Sequence, residues 1–269
     1  MTLKKGCRVA DLRDGEPEVH APLSIWTRFS RATGVQALSL RILEIAPGLS
    51  PGMRNEDCDE VLYVIEGSGT ALLDGHRVGF GPDVGIHLRP GVSLAFENPG
   101  PHRITVASAR CPDGGPPILE AARTRPEPGG VPPGILPDGV LPGILPDAVA
   151  RLVDRPSEVA SDGRSYQVVI DASGSGAPVT QFVGSIPPGR APDHFHEYEE
   201  VFVILEGQGR IWADRESVPV GPGSCVFLPR RQVHCLENLG EGRLRLLGVF
   251  YPSGSPAASK RSDRPLPTA

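Results

Sequence analysis

Moved along by 140 residues, the chain lands on itself. Glu60-Val61 falls on Glu200-Val201, Glu66-Gly67 on Glu206-Gly207, and Gly69 on Gly209. Asp74 meets Asp214, Gly81-Pro82 meets Gly221-Pro222, Glu97-Asn98 meets Glu237-Asn238, and Arg103 meets Arg243. No gap is needed from about residue 54 to residue 110. A match this long makes the chain two copies of one module, so any fold assigned to one half must also serve the other.

The module is built from strands. Val201-Phe202-Val203-Ile204-Leu205 is β-branched and aromatic and ends at Glu206-Gly207-Gln208-Gly209. Cys225 to Leu228 and Val233 to Leu236 read as strands on either side of a turn, Pro229-Arg230-Arg231-Gln232. Tyr166 to Ile170 and Val179 to Val183, separated by Ser173-Gly174-Ser175-Gly176, read as a hairpin or a longer β-loop, and Leu244 to Phe250 closes the module. In the first half, Ile25 to Phe29 and Val35 to Ile45 are strand candidates. With 33 Gly and 30 Pro in 269 residues, short strands and tight turns are expected over long helices.

The second copy carries a cluster of metal-ligating residue types. His194 and His196 leave one face of a strand together, because side chains alternate with a period of two. On a helix the same pair would diverge. Glu200 lies four residues on, roughly 13 Å along a straight strand, too far for one ion with bonds of about 2.0–2.2 Å. The chain must therefore turn within Glu197-Tyr198-Glu199. His234 arrives from the returning strand after the 229–232 turn. Three imidazoles and a carboxylate suit a divalent transition ion: Mn, Fe, Co, Ni, Cu or Zn.

This stretch resembles the two motifs of the cupin superfamily. The first motif, Gly, His-x-His, Glu and Gly, runs Gly189, His194, His196, Glu200 and Gly207, with the first Gly one residue closer than usual. The second runs Gly223, Pro229, His234 and Asn238, with Arg231 where the family has Gly, which puts the backbone conformation of that turn in question. The resemblance implies an all-β chain of two tandem double-stranded β-helix (jelly-roll) barrels. It implies that His194, His196, Glu200 and His234 hold one metal, Mn or Fe foremost. It also suggests a homodimer.

The same shift puts Arg54, Glu56, Glu60 and Leu94 in the first copy where the second has its four ligands. Leucine cannot ligate and arginine repels an ion, so the first module is expected to be metal-free. Arg54 then either forms an ion pair with the carboxylates or holds an anionic ligand.

These readings divide the chain into a first cupin (1–110), a Pro/Gly-rich linker (111–160), a metal-binding cupin (161–251) and a flexible tail (252–269). Within the linker, PGILPDGVL is followed by PGILPDAVA, where frequent Pro denies regular backbone pairing. A short helix, Ala148 to Asp154, is expected there, capped by Asp147 and ended by Pro156. Near the metal, Phe202 shares strand parity with Glu200 and faces the interior, as core or as pocket wall. Tyr198, Arg230 and Arg231 lie in turns beside the ligands; each is a candidate substrate contact or a solvated surface residue.

A net charge of −5 gives no footprint for nucleic acid. No apolar run reaches membrane-spanning length, and the N-terminus lacks the apolar core of a secretory signal. Five Cys without framework spacing read as free thiols in a reducing cytoplasm. Three functions follow: a metal-dependent oxidoreductase of the oxidase or dioxygenase type on a small polar or anionic substrate, as the resemblance to germin-type oxidases, oxalate decarboxylases and cupin dioxygenases implies; a redox-neutral hydrolase, lyase or isomerase using the metal as Lewis acid, with ureidoglycine aminohydrolase-like architecture; or a non-catalytic small-ligand binder. No catalytic acid or base is assigned.

Overall fold

The computed structural model describes residues 1–3, 6–126, 148–160, 162–258 and, for the backbone, 260–261. Its strands form four antiparallel sheets, two to each half. Strands Asp59–Glu66, Gly69–Leu73, His76–Phe80, Val84–Leu88, Ser93–Asn98 and Ile104–Cys111 recur 140 residues later. Their counterparts are Glu199–Glu206, Gly209–Ala213, Glu216–Val220, Ser224–Leu228, His234–Asn238 and Leu244–Tyr251. The turns recur too: Gly67 and Gly207 both have φ 88°, and Asp74 and Asp214 sit at 46° and 56°.

Alternation along the strands assigns each side chain to one of two cores. In Glu199–Glu206, Phe202 and Ile204 join the interior of the second barrel, with Phe182, Val226, Leu246 and Phe250. Val201 and Val203 point the other way, into a core shared with Leu40, Ile42, Val61 and Tyr63 of the first half. The two barrels therefore bury one seven-stranded sheet of each against the other. Glu199 sits in this seam, and its carboxylate accepts backbone N–H groups from Gln36 (3.0 Å) and Ala37 (2.7 Å). Gly85 lets the sheets approach, since a Cβ there would lie 2.4 Å from Val169 Cγ1.

The halves also exchange strands. Arg8–Asp11 pairs with Ser224–Phe227 at the edge of the second module's sheet. Val149–Arg151 pairs with Val84–Ile86 of the first. Boundaries drawn from chain position alone miss both exchanges. The expected helix over Ala148–Asp154 is corrected: Val149–Arg151 is this added strand, and Leu152–Asp154 is a single 3-10 turn. The sheet edge offers backbone partners along its length, which outweighs the weak helical propensity of so short a segment. Asp147 and most of the tandem repeat lie outside the described residues. The tail expected to be flexible is folded over its described part: Ser253 and Gly254 bond to Pro178 and Thr180, and Lys260–Arg261 pairs with His194–Phe195.

All five cysteines are buried and free. No helix among the described residues is long and apolar enough to cross a membrane.

Candidate metal centre

His194 opens a two-residue strand paired with His234 on the neighbouring strand. His196 follows in the turn, and Glu200 returns in the next strand, Glu199–Glu206. Arg190 fixes the approach to this turn: its guanidinium stacks over Trp212 at 4.5 Å and ion-pairs with Asp193 at 3.3 Å.

One candidate ligand atom from each of His194, His196 and His234 lies within 4.8 Å of the others, and all three side chains are buried. The orientation of each ring is set by its Nδ1. His194 Nδ1–H donates to the Pro192 carbonyl (2.8 Å), His234 Nδ1–H to Gln232 (2.9 Å), and His196 Nδ1 faces the Ala258 carbonyl at 3.5 Å. A ring that donates through Nδ1 presents a bare lone pair at Nε2, the form that binds metal. Burial lowers the basicity of all three rings, and His196 falls to about 3, with His194 adding to the effect. The imidazoles are therefore neutral across the physiological range, as ligation requires.

Glu200 Oε2 stands 3.5 Å from His196 Nε2. Two donors about 2.1 Å from one ion at a right angle lie about 3.0 Å apart, so the carboxylate is within a small rotation of sharing an ion with the imidazole. Burial pushes the Glu200 carboxyl up to about 8. A divalent cation would satisfy three lone pairs and this carboxylate at once, and this donor set fits one.

The ligand-type residues open onto a cavity of about 100 Å³. Phe182, Phe202, Leu228, Leu246 and Tyr198 form much of its wall. Tyr198 is sandwiched between His196 (ring centroids 4.7 Å apart, 11° between planes) and Phe250 (4.2 Å, 15°). Gly248 makes room for the site, because a Cβ there would sit 2.4 Å from Phe182 Cε1 and 3.1 Å from Glu200 Oε1.

Of the sequence-predicted substrate contacts, Tyr198 and Phe202 line the cavity. Arg230 and Arg231 do not; they grip the outside of the preceding turn. Arg230 Nε–H donates to the Glu197 carbonyl (2.8 Å), Arg231 Nε–H to the Glu197 carboxylate (2.7 Å), and the Arg231 backbone N–H to the His196 carbonyl (2.7 Å). Arg231 has φ 61°, so it keeps the left-handed conformation that the family gives to Gly, and Gly91 at the equivalent place in the first module has φ 86°. Sequence reasoning missed Arg164, which lines the cavity and whose charge further depresses all three imidazoles. It also missed Tyr166, Phe182 and Pro256.

The equivalent place in the first module is filled by the protein itself. Strand register matches Arg41, Ser108 and Arg110 with Phe182, Gly248 and Phe250, because each set pairs in the same ladder next to Glu60 or Glu200. Arg41 Nη2 donates to Glu60 Oε1 (2.6 Å) and Asn55 Nδ2 to Glu60 Oε2 (2.6 Å), while the Ser108 hydroxyl makes a short bond to the same carboxylate. Burial alone would raise the Glu60 pKa, but Arg41, Ser108, Arg110 and Asn55 together hold it below the usual value. Leu94 is fully buried. Arg54 pairs with Glu56 (2.9 Å) and Glu120 (3.6 Å) at the rim, the ion-pair alternative of the two that the sequence left open.

Residues 182–250 match the cupin domain family. Quercetin 2,3-dioxygenase of Bacillus subtilis is 36% identical over 64 residues, 23% of this chain and 19% of that protein. Among solved structures, a variant of Bacillus subtilis oxalate decarboxylase OxdC superposes with a TM-score of 0.71 at 13% identity, covering 94% of this chain and 78% of that one. A putative glyoxylate induced protein from Pseudomonas aeruginosa gives 0.68 at 18% identity, covering 100% and 93%.

Proposed function

With a cupin domain over residues 182–250 and a two-cupin fold throughout, we propose that this chain is a metal-dependent oxidoreductase working at its second module. His194, His196, His234 and Glu200 hold one divalent transition ion, Mn or Fe foremost. Mn(II) is the metal of the OxdC centres to which the fold is similar. The ion supplies redox and Lewis-acid chemistry at open coordination positions. The observation that carries the reading is the ring orientation: at least two of the three imidazoles spend Nδ1–H on a backbone carbonyl at hydrogen-bond distance, which turns Nε2 inward.

The cavity limits the substrate. An apolar cavity of about 150 Å³ accommodates benzene, so about 100 Å³ holds a molecule of roughly four heavy atoms. Arg164 on the wall favours an anion, and the aromatic and aliphatic walls exclude bulk water from the reacting centre. A small carboxylic or keto acid meets these demands. The first module acts as a packing partner whose Glu60 is neutralised internally.

Elemental analysis of purified variants tests the ligand set. His196→Ala and His234→Ala are expected to lose most of the metal, whereas Glu56→Ala keeps it. Stoichiometric metal loss in the Glu56 variant would overturn the assignment. Oxygen-electrode assays with small carboxylic and keto acids test the reaction class. Turnover undiminished under strict anaerobiosis would move the site to the Lewis-acid class of hydrolases, lyases and isomerases.

A further inference from the structure

The chain does not stop at the last barrel strand. After Leu244–Tyr251 it turns back across the end of the second barrel that carries the histidines. Thr180, fully buried, clasps the start of this return: its hydroxyl donates to the Gly254 carbonyl (2.9 Å) and accepts the Gly254 N–H (2.9 Å). Ser253 adds a backbone bond to Pro178 (2.8 Å). Beyond the clasp the attachments loosen. Ser255 Oγ is 3.4 Å from the Tyr166 hydroxyl, and the Ala258 carbonyl is 3.5 Å from His196 Nδ1. Between them Pro256 is part of the cavity wall. The far end is a two-residue backbone pairing with His194–Phe195.

The other wall of the mouth is held more firmly. Ala160 N–H closes a loop on the Arg164 carbonyl (2.9 Å), and Arg243 donates to the Gly163 carbonyl (3.1 Å). The three histidines are each less than a tenth exposed. The mouth above them is only partly open, and of its walls the segment with long hydrogen bonds and a fixed hinge behind it is displaced at least cost.

We infer that residues 255–258 are the access gate of the metal cavity, swinging on the Thr180–Gly254 clasp, and that Pro256 is the wall that sets the largest ligand the closed site admits. The same swing would release His196 Nδ1, so opening the mouth and loosening one ligand are a single motion. This inference rests on the reading of the cavity as the active site, but its test does not require metal.

Leu246→Cys places a thiol on the cavity wall in a protein whose own cysteines are all buried. Its rate of labelling by a small methanethiosulfonate is compared in three metal-stripped proteins: the full chain, a chain ended after Gly254, and a full chain carrying Thr180→Val. The expected result is labelling accelerated roughly tenfold or more by the truncation and, more weakly, by Thr180→Val, with circular dichroism unchanged. Equal rates in all three would overturn the gate. If the truncated chain unfolds, the Thr180→Val comparison decides alone. Metal content of the full chain is measured separately, so failure to bind metal would count against the proposed function and leave the gate standing.

Discussion

Arg41 occupies the Glu60 carboxylate at the first module's counterpart of the metal position, and Arg41→Met tests that role. The Arg41–Glu60 pair is 2.6 Å long, with the two side chains 2% and 1% exposed. Removing one partner of such a pair costs about 3–5 kcal/mol, because the remaining charge is stranded. Here the cost is reduced from both sides. Glu60 keeps Asn55, Ser108 and the nearby Arg110 charge. Arg41 Nε and Nη1 have no hydrogen-bond partner among the described residues, so their burial, about 1–3 kcal/mol per group, is relieved by Met. Two such groups offset about 2–6 of those 3–5 kcal/mol, so a net loss of no more than about 3 kcal/mol is expected. Urea unfolding followed by tryptophan fluorescence suits the measurement, since Trp26 lies in the first module and Trp212 in the second. The double variant Arg41→Met/Glu60→Met removes both charges and is expected within about 1 kcal/mol of the parent. The sign with pH follows from Glu60. Its folded pKa is depressed, so its contribution is present above the unfolded value and lost as pH falls through the folded one. The difference between Arg41→Met and parent should therefore shrink in acid. If the double variant costs as much as the two single changes summed, the pair does not carry the interior and the argument fails.

Other outcomes follow from the second module. Gly248→Ala forces a methyl to within 2.4 Å of Phe182, an overpacking expected to cost about 1–3 kcal/mol in thermal unfolding and to lower metal content by displacing Glu200. Arg231→Gly relieves a left-handed residue but gives up an exposed ion pair, so stability should stay within about 1 kcal/mol, whereas Arg231→Val should lose about 1–3 kcal/mol. In chelator-stripped protein, Glu200 is raised from 4.5 to about 8, and an acid with a raised folded pKa loses stability as pH climbs through that window. The depressed imidazoles act with the opposite sign below 6.5, so the net weakening is expected from pH 6.5 to 8, about 2 kcal/mol, and Glu200→Gln should remove it.

The strands and the histidines were legible because both follow simple periods. His194 and His196 obey the two-residue alternation of a strand, and the gap-free shift of 140 carries each turn of the first copy onto the second. Arg41 was not legible for a matching reason. The ladder pairs Arg41 with Ser108 and Phe182 with Gly248, so the first strands of the copies are offset by 141 residues. Comparison at 140 sets Arg41 against Gln181 and hides its place inside the barrel. The stacking of Tyr198 on Phe250 depends on which strands become neighbours, as does the exchange of Arg8–Asp11, and local pattern carries no such information. Arg231 misled in the other direction: a missing Gly suggested an altered turn, yet the backbone stayed left-handed and the side chain was held by Glu197.

In the first module Arg41, Ser108 and Arg110 surround Glu60, and these neighbours are expected to oppose a cation more than the missing ligands do. Restoring imidazoles with Arg54→His, Glu56→His and Leu94→His would rebuild the donor set beside Glu60, but Arg41 would still occupy its carboxylate. A guanidinium about 4 Å from a dication at an effective dielectric of 20 opposes binding by about 8 kcal/mol, close to six decades of affinity. The triple variant is therefore expected to purify without metal. Adding Arg41→Phe, Ser108→Gly and Arg110→Phe copies the second module's Phe182, Gly248 and Phe250 and frees Glu60, so this sixfold variant should take up a second ion per chain. Elemental analysis separates the two cases. A second equivalent of metal in the triple variant alone would show that the arginines do not exclude an ion from the first barrel.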